Sequence, residues 1–86
     1  QTYALRFIEV KGRTKGATTV TVSKNEILTA LNKPDEFILA IVEVDKDVTH
    51  TIYLKHPFKN APDFTATSVN FDIQDLIAES EILYEK

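Results

Sequence analysis

Eight consecutive residues, Phe37-Ile38-Leu39-Ala40-Ile41-Val42-Glu43-Val44, carry no charge before Glu43 and show no polar–apolar alternation. A run this short and this apolar has no side suited to water. It predicts a central strand covered on both faces, and the rest of the chain must supply the covers. Asp45-Lys46-Asp47 follows as a turn. Residues 49–55 (Thr-His-Thr-Ile-Tyr-Leu-Lys) form a second strand, paired as a hairpin with the first and stopped before Pro57.

Upstream, residues 3–11 hold Tyr3, Leu5, Phe7, Ile8 and Val10 with no Pro or Gly until Gly12, which predicts another strand. Residues 12–16 (Gly-Arg-Thr-Lys-Gly) read as a turn whose two glycines are free to adopt positive φ. They lack the length and the Lys-Ser/Thr ending of a phosphate-cradling P-loop. The β-branched stretch 18–22 is then expected to run back antiparallel to the first strand. A helix over 24–32 is well marked. Ser23 and Glu26 form a capping box, and Val22 and Ile27 stand where a hydrophobic staple packs. Ile27, Leu28 and Leu31 give its buried face with Ala30 alongside, and Asn32-Lys33-Pro34 ends it. Residues 58–67 read as a loop anchored by Phe58 and Phe64, and 68–71 as a short edge strand. Asp72 caps a last helix from Ile73 to about Ser80, with Ile73, Leu76 and Ile77 facing in. The pattern assigns nothing after Ser80. This order predicts an α+β fold in one domain over residues 1–86: a mixed sheet of four to five strands flanked by two helices.

Composition narrows the function classes. A hydrophobic share of 43% supports a core, and 27% charged residues with only two Gly and three Pro argue against disorder. No apolar run approaches the roughly 20 residues a membrane helix needs, so no membrane partner is expected. The absence of Cys fits a reducing, cytoplasmic compartment. Met is absent even at position 1, which reads as a processed or excised piece of a longer protein. The net charge of −3 is a poor footprint for a self-sufficient nucleic-acid binder. The charges are segregated, however. Lys11, Arg13, Lys15 and Lys24 gather near the first strand, while Asp72, Asp75, Glu79, Glu81 and Glu85 load the C-terminus.

The chemistry centres on Glu9 and Lys11. Period-two alternation puts both on one face of the first strand, with Tyr3, Leu5 and Phe7. An acid and an ammonium on a largely apolar face must be paired, hydrated or coordinated. One reading has Glu9 holding a divalent cation through oxygen, with Lys11 orienting the attacking water or offsetting charge on a scissile phosphate. The other is a cross-strand ion pair at the end of a sheet. Glu26 likewise has two readings: it closes the capping box, or the helix end lies beside the Glu9 strand and helps to position it. His50 and His56 lie about 20 Å apart along a strand, too far to share a metal. Asp45 and Asp47 read as solvated turn acids.

The ordered set Phe7-Ile8-Glu9-Val10-Lys11-Gly12-Arg13, Asn25-Glu26, the apolar strand 37–44, His56-Pro57-Phe58 and Val69-Asn70-Phe71-Asp72 resembles a known family. It is the domain family named after the C-terminus of the plant NO VEIN protein. The family is similar to the restriction-endonuclease-like PD-(D/E)xK fold. Its bacterial members are C-terminal modules of large helicase-like or restriction- and defence-type proteins. The resemblance implies a partial restriction-endonuclease-like core, lacking its first helix and strands. Glu9 would be the metal ligand, Glu9 and Lys11 the catalytic pair, and Arg13, Lys15 and Lys24 contacts to the nucleic-acid backbone. The implied cofactor is Mg²⁺, provided that an Asp from outside these residues joins Glu9. The implied partners are DNA, the remainder of a larger protein, and a second copy through an exposed sheet edge. Two functions follow: a nuclease-like module that acts on or binds DNA, or a non-catalytic accessory or protein-interaction domain that keeps the nuclease-derived fold.

Overall fold

The computed structural model describes residues 6–85. The apolar run becomes β3 (Phe37–Asp45), whose first five residues are all buried. It lies between β1 (Phe7–Thr14), which it pairs in parallel, and β4 (Val48–Lys55), which it pairs antiparallel. β6 (Glu81–Glu85) adds to the far side of β4, giving a four-stranded sheet in the order β1-β3-β4-β6. A separate two-stranded ribbon joins β2 (Thr19–Ser23) to β5 (Ser68–Asp72), antiparallel. The helices α1 (Lys24–Asn32) and α2 (Ile73–Glu79) each begin where a ribbon strand ends. The expected α+β class and mixed sheet are therefore present, with the strands divided between two sheets.

The core forms on one face of the large sheet. Phe37, Leu39 and Ile41 of β3 alternate into it with Ile52 and Leu54 of β4. Val20 and Val22 of β2, Ile27 and Ala30 of α1, Phe58 and Leu76 close it from the other side. Leu31, Ile73 and Ile77 pack against this cluster as expected, whereas Leu28 is half-buried beside it. The capping box of α1 is complete: Glu26 N–H donates to Ser23 Oγ at 3.1 Å and Ser23 N–H to Glu26 Oε1 at 2.8 Å. Asp72 caps α2 through the Asp75 N–H at 3.0 Å.

Two expectations are corrected. β1 and β2 do not form an antiparallel hairpin. The β1–β3 ladder continues residue for residue from Phe7–Phe37 to Thr14–Val44, so strand geometry carries through Gly12 and Arg13. The Lys15 N–H still donates to Val44 O at 2.9 Å, and of the two glycines Gly16 takes a positive φ, at 91°, while Gly12 does not. β2 buries Val20 and Val22 on one side, and those side chains fill the core from the layer above the sheet. Second, Phe64 anchors nothing: it is 90% exposed. The stretch after Ser80, to which the pattern assigns nothing, is a strand, β6, laid against β4 with a register shift at Tyr53/Leu54. The part of the first strand assigned to residues 3–5 falls outside the described residues.

Candidate functional site

Glu9 and Lys11 do share a face of β1, and it is the core-side face. In register, Glu9 stands beside Leu39 and Lys11 beside Ile41, both buried core residues. The charged ends survive there because, among the described residues, β1 is an outer strand of the sheet, and α1 delivers Glu26 to meet them. Lys11 Nζ donates to Glu26 Oε1 at 2.9 Å, with the two side chains 22% and 24% exposed. The same oxygen accepts the Ser23 N–H. Both readings of Glu26 therefore hold together: one carboxylate caps the helix and fixes the lysine.

The Glu9 carboxyl adjoins that of Glu26, and the two titrate as opposites. Sharing a proton with Glu26 raises Glu9 above the ordinary value of 4.5; burial and the negative charge of Glu26 add to this against the pull of Lys11. Burial pushes Glu26 up as well. The hydrogen bonds from Glu9, the Ser23 N–H and Lys11 override it and bring Glu26 down to about 2. Glu9 is thus the carboxyl of the pair that protonates more readily and Glu26 the one that holds its charge, beside one ammonium. The neighbouring cavity, about 270 Å³, is lined by Phe7, Ile8, Glu9, Asn25, Glu26, Thr29 and Phe37. Its walls are apolar apart from the acid pair, Asn25 and Thr29.

The other candidate residues do not converge on this cavity. Lys15 pairs with Asp45 at 3.3 Å, both largely exposed. Lys24 donates to Phe64 O at 2.9 Å and lies 5.3 Å from the centre of that ring. Arg13 is exposed on β1, two residues beyond Lys11. His50 lies 2.9 Å from Glu85; His56 lies 3.6 Å from Asp35 and 3.7 Å from Glu81. Among the described residues no three His, Cys, Asp or Glu side chains gather as a metal cluster. The oxygen donors near the motif are the carboxylates of Glu9 and Glu26. That set fits Mg²⁺ or Mn²⁺ bound through one or two carboxylates, with water and substrate phosphate completing the shell. The pairing of Lys11 with Glu26 had a sequence signal in Asn25-Glu26. The ties from His50 and His56 to β6 had none, because β6 itself was unassigned.

No curated protein and no solved structure matches the chain significantly. The sequence profile of one family, described as "Protein NO VEIN, C-terminal", matches residues 1–54. The match spans the whole Glu9–Lys11–Glu26 cluster and reaches into β4, while β5, α2 and β6 lie beyond it. The acid–lysine strand, the capped helix and the central apolar strand are thus all held within a match covering more than half of the 86 residues, and the chain belongs to the NO VEIN C-terminal family.

Proposed function

We propose that this domain is a nuclease-like module acting on DNA within a larger helicase- or restriction-type protein, with Glu9 and Glu26 as ligands of a divalent cation. The observation that carries the reading is the meeting of two carboxyls and one ammonium on the core-side face of β1. Glu26 supplies the second carboxylate that the Glu9-x-Lys11 pair lacks on its own strand. A bound cation would supply Lewis-acid polarisation of a phosphate oxygen and an acidified water. Glu9 and Glu26 would hold that cation through their carboxylate oxygens. The Lys11 ammonium, 2.9 Å from Glu26, would hydrogen-bond the attacking water or a phosphate oxygen. Arg13, exposed on the same strand, would contact the backbone.

The test is a Mn²⁺ titration followed by NMR, run beside a DNA-cleavage assay. Shifts confined to residues around Glu9 and Glu26, lost in Glu9→Gln, are expected. Cleavage by the wild type and its loss in Lys11→Ala are expected as well. No ion-dependent shift and no cleavage by the wild type would leave the second reading, a non-catalytic docking domain. That reading draws on the Lys11–Glu26 pair at 2.9 Å and on the cations already engaged by Asp45 and Phe64.

A further inference from the structure

We infer that Phe64 and Lys24 form a stacking platform for single-stranded DNA. An unpaired base lies on the open face of the Phe64 ring, and the Lys24 ammonium takes the adjoining phosphate. The inference names the form of DNA brought to the Glu9–Glu26 site, and it rests on the proposed function for the choice of DNA. It starts from a ring out of place. Phe64 is 90% exposed, the most exposed of the large hydrophobic side chains among the described residues. Phe58 and Phe71, its neighbours along the chain, pack on each other and in or against the core instead. Yet the backbone that carries Phe64 is held on both sides. Asp63 O accepts the Ala66 N–H at 3.0 Å, which closes a turn with Phe64 at its first central position. Asp63 Oδ1 accepts the Thr65 N–H at 3.2 Å. The Lys24 N–H donates to Thr67 O at 2.9 Å and Lys24 Nζ to Phe64 O at 2.9 Å, tying the turn to the start of α1. A fixed turn thus presents the ring to solvent.

The surroundings select the occupant. Lys24 Nζ stands over one face of the ring, 5.3 Å from its centre, and the other face is open. Every base has a π-face to lay there, and an aromatic ring beside a cation is a recurring means of holding single strands. The bond to Phe64 O uses one of the three ammonium donors and leaves two for phosphate oxygens. Beside the ring lies a cavity of about 330 Å³, at the lower end of the roughly 300–1,000 Å³ usual for ligand sites. Ser23, Asn25, Thr65 and Thr67 line it with Lys24 and Phe64, and among the described residues no carboxylate does. In a chain of net charge −3, that makes it a place where a phosphate is not repelled. A protein partner seated on an aromatic anchor is met by further apolar side chains, whereas hydroxyls and an amide surround this ring. A duplex keeps its base faces stacked on one another, so the ring suits a single strand. Asn25 also lines the cavity of Glu9 and Glu26. The two cavities share that wall, and a strand seated on Phe64 is led to the candidate cation site.

Fluorescence anisotropy tests the platform, with labelled oligothymidylate of about 12 nucleotides and a duplex of the same length. Low salt and EDTA keep divalent cations and cleavage out of the readout. The single strand is expected to bind more tightly than the duplex. Phe64→Ala should weaken single-strand binding roughly 5- to 150-fold. Its circular dichroism spectrum should stay unchanged, because the ring is no part of the core cluster. Phe64→Trp should restore binding. Lys24→Gln should lower the slope of log affinity on log salt by about 0.7. Equal binding of the two forms, no binding of either, or a Phe64→Ala protein that binds like the wild type overturns the proposal. So does Phe64-dependent self-association with no oligonucleotide bound, which would make the ring a protein contact. A cleavage assay with Mn²⁺ separates the two readings. Phe64-dependent binding without cleavage keeps the platform and removes the nuclease; Lys11-dependent cleavage that Phe64→Ala leaves untouched does the reverse.

Discussion

Among the described residues β1 and β6 are the outer strands of the large sheet, and they are built differently. β1 presents an eight-residue ladder in unbroken register, with Glu9 and Lys11 on its core-side face and Lys11 tied to Glu26 of α1. β6 is five residues long, and its pairing with β4 is irregular at Tyr53/Leu54. It carries Glu81 and Glu85 at its ends. Both acids are taken up within the chain: Glu85 lies 2.9 Å from His50 and Glu81 3.7 Å from His56. The two strands therefore settle their charges differently: β1 places them against the core under a helix, and β6 pairs its own with histidines at the surface.

The strongest way to break this comparison is to damage the shared core beneath both edges. Leu39 flanks Glu9 in register, Leu54 flanks Ile82, and both are 0% exposed. Leu39→Ala and Leu54→Ala should each cost about 2–5 kcal/mol in denaturant unfolding. Similar losses would mean that the two edges rest on one cooperative core. A loss below about 1 kcal/mol at Leu54 would mean that the β4–β6 half yields separately.

A smaller effect, confined to the β1 side, comes from the acid pair. Glu26 lies below its unfolded value of about 4.5, so the stability it contributes is present above that pH and is lost as pH falls towards about 2. Glu9 lies above its unfolded value. Its contribution is present below about pH 4.5 and is lost as pH rises through its raised folded value. Stability should therefore peak in mildly acidic solution. Glu26→Gln keeps a hydrogen-bonding capping residue but removes the charge, and should flatten the acid limb. Glu9→Gln should flatten the upper limb and leave the domain more stable at neutral pH, by on the order of 1 kcal/mol for so exposed a pair. Thermal melts of both variants between pH 2 and 8 check the signs. A wild-type curve that rises steadily to neutral pH would contradict the proton sharing.

Local chemistry made most of the elements legible. The capping box fixed the start of α1, the unbroken apolar run marked β3 as central, and Pro57 limited β4. Pairing was less legible because it is settled by tertiary contacts. The β-branched Thr19–Ser23 suits a hairpin with β1 as well as a ribbon with β5, and only its packing over the sheet separates the two. Phe64 looked like a core residue because nothing local marks an aromatic ring that a lysine covers at the surface. Glu81–Glu85 was unassigned because its apolar residues, Ile82-Leu83-Tyr84, are contiguous and acid-flanked, with no period to read. At the site, Glu9 and Lys11 followed from alternation alone. Their link to Glu26 was one of two readings of Asn25-Glu26, and the crossover that sets α1 beside β1 is what realises it together with the cap.

The smallest expected effects lie along β6 and sharpen the contrast with β1. The Tyr53 and Tyr84 rings sit 6.0 Å apart, tilted by 36°, and Tyr84 is 56% exposed. Tyr84→Ala should cost about 0.5–1.5 kcal/mol through the lost ring pair. His50→Ala removes a contact whose side chains are 49% and 51% exposed, and should cost only about 0.2–1 kcal/mol. Native-state hydrogen exchange gives the finer measure. In both variants the amides of β6 should exchange faster while those of β1 and β3 keep their protection, because all five β6 residues are exposed and none belongs to the core cluster. If β1 loosened together with β6, the two edges would form one cooperative unit. The difference between them would then lie in their surface chemistry alone and not in how firmly each is held.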